Sequence, residues 1–238
     1  MHLTIYPPIL YAGTPVVLIG TLNPDGSPNV APISSAWWLG WNCVLGFGAS
    51  SQTPINLQRT GQCTINLPSV EQAGYVDKLA RLTASTPVPP HKQERGYSYC
   101  PDKFAASGLT PEPAEKVAAP LIQECPLQME AELSAAHPLT GDASNLIALE
   151  VKILKVRAKS EILRSTDPNR IDPDQWRPLM MSFCNFYGLG RQVHSSRLAE
   201  IPEDLYRPQR VREQMRGMAL EFLDEQGKVL RSFTESSK

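Results

Sequence analysis

The 238-residue chain carries 23 basic and 24 acidic side chains, a net charge of −1, and 42% hydrophobic residues, the balance of one soluble globular domain with a sizeable core. That charge gives no overall attraction for nucleic acid or an anionic membrane, and no apolar run reaches the roughly 20 residues of a membrane span. Cys43, Cys63, Cys100, Cys125 and Cys184 are an odd, scattered set without a C-x-x-C, which excludes a disulfide framework or zinc knuckle and makes the cytoplasm the expected compartment.

Alternation and β-branching predict strands over 15–22, 27–35 and 41–47. The first two are joined by the turn Asn23-Pro24-Asp25-Gly26, with Gly26 supplying a positive φ. A helix over 53–60 follows, with Thr53 as N-cap, Pro54 at the first helical position and Gly61 closing it, before a strand over 63–67. Val76, Leu79, Ala80 and Leu82 share a helical face within 70–82, and a long loop over 86–101 has the length of a lid or dimer arm. Strands over 126–136 and 146–158 complete at least six, with few helices between them. This order predicts a mainly β protein: a split antiparallel β-barrel of Greek-key type with a few peripheral helices, not a doubly wound parallel sheet. Extended excursions are expected over 165–208, a helix over 209–223 and a last strand over 228–233, with the basic cluster Arg207, Arg210, Arg212 and Arg216 read as a solvated helix face.

The stretch GFGASSQTPINLQRTGQCTINLP, 46–68, places a run of hydroxyls before a helix. A helix start joins unpaired N–H groups to the positive end of the helix dipole, so it suits an anion. The amides of Ile55 and Asn56, with the side chains of Ser50, Ser51, Gln52 and Asn56, are candidates for a phosphate cup without a lysine; capping alone accounts for the same residues. Gly46-x-Gly48 does not complete a dinucleotide fingerprint, and no G-x-x-x-x-G-K-[ST] loop or G-x-S-x-G elbow occurs. His2, His91, His137 and His194 are too scattered for a metal site.

The segments PVVLIGTLNPDGSPNVAPISSAWW (15–38) and TPINLQRTGQCTINLP (53–68) resemble the flavin reductase-like family of FMN-binding split β-barrels. Asn29, Ala31, Pro32, Ser34, Thr53, Asn56, Asn66, Leu67 and Pro68 match its pattern. ASGLTPEPAEKVAAPLIQECPLQMEAEL (106–133) and LIALEVKILKV (146–156) resemble later blocks. The resemblance covers about 14–190 of a single domain spanning 1–238, leaving 191–238 as a C-terminal extension. Many members carry a basic residue two positions before the threonine; this chain has Ser51 there, so a charge for the phosphate has to come from elsewhere, such as Arg59 or Arg191.

The resemblance implies an FMN-dependent oxidoreductase, a homodimer that takes electrons from NADH or NADPH and passes them to flavin or another small acceptor. It also implies a site in which Ser34, Ser35, Ala36 and Trp37 lie along the isoalloxazine while Ala49, Ser50, Ser51, Thr53 and Asn56 surround the phosphate. If the strand continues, Trp37 and Trp38 have opposite faces, one available to shield the flavin and the other to fill an interface; packing of both in the core or an interface accounts for them as well. Tyr187, Arg191 and His194 are candidates for the border of a substrate site. Two other functions fit the same residues: an FMN-binding electron carrier or store, and a barrel scaffold that has lost FMN.

Overall fold

A computed structural model describes residues 1–139, 145–206, 220–223 and 229–233. It divides the chain into two compact units, Met1–Arg191 and Gln192–Lys238. The first contains a seven-stranded sheet built from β1 (Val17–Leu22), β2 (Pro28–Ile33), β3 (Ala36–Leu39), β4 (Asn42–Gly48), β5 (Gln62–Leu67), β6 (Leu127–Pro138) and β7 (Leu146–Ala158). The order is β2-β1-β5-β6-β7-β4-β3, every neighbour antiparallel. The two outermost strands, β2 and β3, are consecutive in the chain and joined only by Ser34 and Ser35, so the sheet rolls into a split barrel. Three strands in the chain order Ala12–Pro15, Leu179–Ser182 and Asn185–Gly188 make a separate small sheet, joined to the entrance of β1 by the Val16 N–H donating to the Leu179 carbonyl at 2.9 Å.

Alternation explains the packing. Val17 and Ile19 of β1 point into the barrel beside Leu45, Ile65, Leu149 and Val151. Their neighbours Val16 and Leu18 point outward and are covered by Val76 and Leu79 of α2 (Ala73–Leu79) and, beyond α3 (Pro90–Gln93), by Phe104 of α4 (Lys103–Ser107). Gly20 has to be glycine, since a Cβ there would lie 2.3 Å from Thr64 Oγ1 and 2.4 Å from the Pro120 carbonyl.

Several expectations change. The 27–35 strand stops at Ile33 and a separate strand, β3, begins at Ala36, because the chain leaves one edge of the sheet and joins the other. The 70–82 helix is a 3₁₀ turn at Val70–Gln72 followed by α2, and the 86–101 loop carries the short α3. In the second unit, 209–219 lie outside the described residues, and so do Arg207, Arg210, Arg212 and Arg216. Leu220–Leu223, predicted as the end of a helix, is a strand paired antiparallel with Val229–Phe233, the expected last strand. Among the described residues no helix is long and apolar enough to cross a membrane.

One buried charge holds the crossing segment between α4 and β6. Glu130 of β6 is fully buried, and its Oε2 accepts from the backbone N–H groups of Glu115, Lys116 and Val117. Three converging amides stabilise the carboxylate where water cannot reach it. Glu130→Ala is expected to lower the unfolding free energy by about 3 kcal/mol, because three donors lose their acceptor. Glu130→Gln, which keeps an oxygen there, is expected to cost less; urea unfolding of the three proteins measures both.

Candidate functional site

At the split, a cavity of about 370 Å³ opens between the two edges of the sheet. Its floor is Ala31, Pro32, Ile33 and the Ser34–Ser35 link, and Gly46, Phe47 and Gly48 of β4 form one wall. Gly46 allows this closeness: its N–H donates to the Ser35 carbonyl at 2.7 Å, and a Cβ there would lie 2.9 Å from Ser35 Cβ. Ser51, Gln52 and Thr53 close one end, where α1 (Gln52–Thr60) begins. Tyr11, Thr83, Lys92, Tyr97 and Lys103 complete the lining, which contains no Asp or Glu among the described residues.

The start of α1 differs from the sequence expectation. Ser51, not Thr53, is the N-cap, so Pro54 is the third helical residue. The Ile55 amide donates to the Ser51 carbonyl at 3.4 Å, and Asn56 lies beyond the first turn. The unpaired amides at this end therefore belong to Gln52 and Thr53. Ser51 makes no side-chain cap bond, which leaves its hydroxyl available to a ligand.

Beneath that turn runs a buried polar network. Lys103, only 6% exposed, donates from Nζ to Asn29 Oδ1 at 2.6 Å. Asn29 Nδ2 donates to Thr53 Oγ1 at 3.2 Å and to Thr21 Oγ1 at 2.9 Å. Asn56 Nδ2 donates to Thr21 Oγ1 and Asn23 Oδ1, and Asn56 Oδ1 accepts from Gln52 Nε2. Asn56 is fully buried with its amide spent on this network, so it anchors α1 to the β1–β2 hairpin and does not line the cavity.

Lys103 is the positive charge that Ser51 does not supply. Asp102 caps α4 by accepting from the Ala105 N–H, and this fixes the helix start from which Lys103 reaches inward. No carboxylate pairs with Lys103 among the described residues. Burial pushes its ammonium down to about 8; the neighbouring Cys100 opposes that shift and Lys92 adds to it. Lys92 also lacks a carboxylate partner among the described residues and is lowered by burial. Arg59, a candidate for this charge, lies at the far end of α1 and donates to the Leu22 carbonyl. Arg191 is exposed and outside the cavity lining.

Of the predicted residues, Ser34, Ser35, Ser51 and Thr53 meet in the cavity. Ala36 turns into the barrel core. Trp37 is exposed on β3, whereas Trp38 packs on the core, so neither lines the cavity. Ala49 packs against the core and Ser50 Oγ accepts from Asn145 Nδ2 at 3.1 Å, both just outside it. Tyr187 is exposed on its hairpin and does not line the cavity, and His194 belongs to the second unit. Cys43, Cys63 and Cys125 are buried, and burial pushes their thiols up, Cys43 to about 12. They are core residues.

A rolled antiparallel sheet with a cleft at its split lined by two lysines has the form of a flavin-binding split barrel. The chain belongs to the flavin reductase like domain family, whose profile matches residues 11–184. It is 37% identical over 189 residues to YdfE of Bacillus subtilis (strain 168), covering 79% of this chain and 90% of that protein. Two solved structures share the fold. Flavoredoxin of Desulfovibrio vulgaris (Miyazaki F) superposes with a TM-score of 0.68 at 22% identity, over 84% of this chain and all of that one. Nitrilotriacetate monooxygenase component B from Bacillus cereus gives 0.65 at 18%, over 82% and 99%.

The network makes a prediction about Asn56. Asn56→Ala leaves Asn23 Oδ1 and Gln52 Nε2 without their buried partner and is expected to cost about 1–3 kcal/mol of stability. Thermal or urea unfolding of the ligand-free variant measures that loss.

Proposed function

We propose that the cavity holds FMN and that the protein is an FMN-dependent oxidoreductase using NADH or NADPH, passing electrons to free flavin or another small acceptor. The observation that carries this reading is the Lys103 ammonium beside the start of α1, in a cavity that holds no carboxylate among the described residues. Burying an ammonium without a counter-ion is costly, and a phosphate supplies that partner. The Gln52 and Thr53 amides and the Ser51 and Thr53 hydroxyls add neutral donors on the same side.

The rest of the lining suits a flat, partly polar ring. Ala31, Pro32, Ile33 and Phe47 offer apolar contact, and the exposed edge of the Ser34–Ser35 link offers backbone and hydroxyl groups. When bound, flavin supplies reversible hydride-accepting chemistry, and the protein's task is to bind, orient and shield it. Lys103 holds the phosphate end, and Asn29 fixes the direction of its ammonium. A site of this kind needs no general acid or base from the chain.

Anaerobic absorbance titration with FMN, then NADH, then NADPH tests the reading. Saturable binding followed by bleaching of the flavin band is the expected result. Binding without bleaching would make the protein a carrier or an enzyme fed by another partner, and no binding would leave a scaffold.

The Lys103 proton gives a pH signature. In ligand-free protein the ammonium is held below its usual 10.5, at about 8. FMN affinity is therefore expected to be greatest below that value and to fall as pH rises through it, the slope approaching tenfold per unit. Riboflavin, which lacks the phosphate, is expected to show a flat profile over the same interval. Lys103→Met should weaken FMN at least tenfold, as expected for loss of a charge-assisted hydrogen bond, while leaving riboflavin affinity nearly unchanged. Quenching of flavin fluorescence reads all of these.

A further inference from the structure

The cavity contains a second cation that the phosphate end does not use. Lys92 sits on α3 and its Nζ donates to the Thr83 carbonyl at 2.7 Å, 5.5 Å from the centre of the Tyr97 ring. One of its three protons is thus directed at protein, and no carboxylate neutralises the ammonium among the described residues. Lys92 is half-buried, and so is Tyr97. Both line the same cavity as Lys103.

This arrangement is held in place. Thr83 bridges to Tyr99, the Ala84 N–H donates to the Ser98 carbonyl at 3.3 Å, and the Ser98 N–H donates to the Arg81 carbonyl at 2.9 Å. Inside that closed loop the Tyr97 N–H donates to the Lys92 carbonyl at 3.0 Å. The lysine and the tyrosine are therefore fixed relative to each other, unlike a surface lysine free to sample solvent. The two lysines stand on different helices, Lys103 on α4 and Lys92 on α3, so the cavity offers an anion two separate points of contact.

We propose that Lys92, set by Tyr97, is the specificity-determining residue of this site and receives an anionic phosphate group of the electron donor, a pyridine nucleotide. The proposal rests on the flavin reading above. Lys103 and the start of α1 take the cofactor's phosphate, and Lys92 takes the phosphate of the molecule that enters next. A fixed amine next to an aromatic face suits a ligand in which phosphate adjoins a flat ring. Lys92 is a binding residue here, with no part in moving the hydride.

The test uses the flavin-loaded full chain as wild type, Lys92→Gln and Lys92→Arg. Flavin affinity is measured first by fluorescence quenching; it should differ among the three much less than dinucleotide affinity does, and absence of flavin binding to the wild type would defeat the underlying reading itself. NAD⁺ and NADP⁺ affinities are then measured by calorimetry. Next come KM and kcat for NADH, NADPH and 1-benzyl-1,4-dihydronicotinamide, a hydride donor without phosphate. Lys92→Gln is expected to weaken the dinucleotides about tenfold or more in Kd and KM, the cost of a lost charge-assisted contact, with kcat retained. It should leave KM for the uncharged donor unchanged, and Lys92→Arg should recover most of the dinucleotide affinity. Equal loss for charged and uncharged donors, a loss of flavin affinity as large as that of dinucleotide affinity, or no change with any donor would overturn the assignment. So would a wild type that binds flavin but neither dinucleotide.

Discussion

Two residues set the shape of the barrel. β2 and β3 are the outermost strands of a seven-stranded sheet, yet Ser34 and Ser35 alone join them. Laid flat, six inter-strand spacings would separate those edges by about 29 Å, while three Cα steps reach at most about 11 Å. The sheet has to roll until its edges nearly meet. They do not zip together along their length; at the link the Gly46 N–H reaches the Ser35 carbonyl. The gap left beside this contact is the cavity, so the constraint that closes the barrel also creates its site.

The rolled core determines where a ligand can lie. Leu45, Ile65, Leu149, Val151 and Ile153 fill the interior, leaving the cleft at the split as the place for a flat molecule. α1 begins at its edge, and the polar network beneath the first turn ties that helix to β1 and β2 through Thr21, Asn29 and Asn56. Lys103 enters this network from a helix on the outer side of the sheet. A buried ammonium without a counter-ion lowers stability. The surrounding hydrogen bonds hold the charge in place without neutralising it, an arrangement more useful to binding than to folding.

Local chemistry made much of this legible. Asn23-Pro24-Asp25-Gly26 announced the hairpin, alternation announced the long strands, and the hydroxyl run before α1 announced a helix start beside which Thr53 and Ser51 do line the cavity. What escaped depends on partners distant in the chain. Asn56 looked like a phosphate donor because nothing in its neighbourhood shows that Thr21 and Asn23 consume its amide. The change of sheet edge falls at Ser34–Ser35, where the predicted strand ends, and nothing local shows that the chain resumes at once as β3 on the other edge. Lys103 lies 74 positions from Asn29, and one sequence has no way to bring them together. A polar Asn29 between apolar strand neighbours was the available sign that something charged would meet it.

Moving the charge from Ser51's position to α4 has a chemical consequence. A basic side chain at the helix N-cap would stand in partial contact with water, with its proton almost always present. On α4 the amine is buried and its proton is held less tightly. The same displacement makes Lys103 a structural neighbour of the Thr83–Tyr99 loop that carries Lys92, since the loop runs directly into α4. Both lysines of the cavity, with Thr83 and Tyr97, thus come from one continuous segment of chain, 83–103, while the barrel and the start of α1 provide the remaining walls.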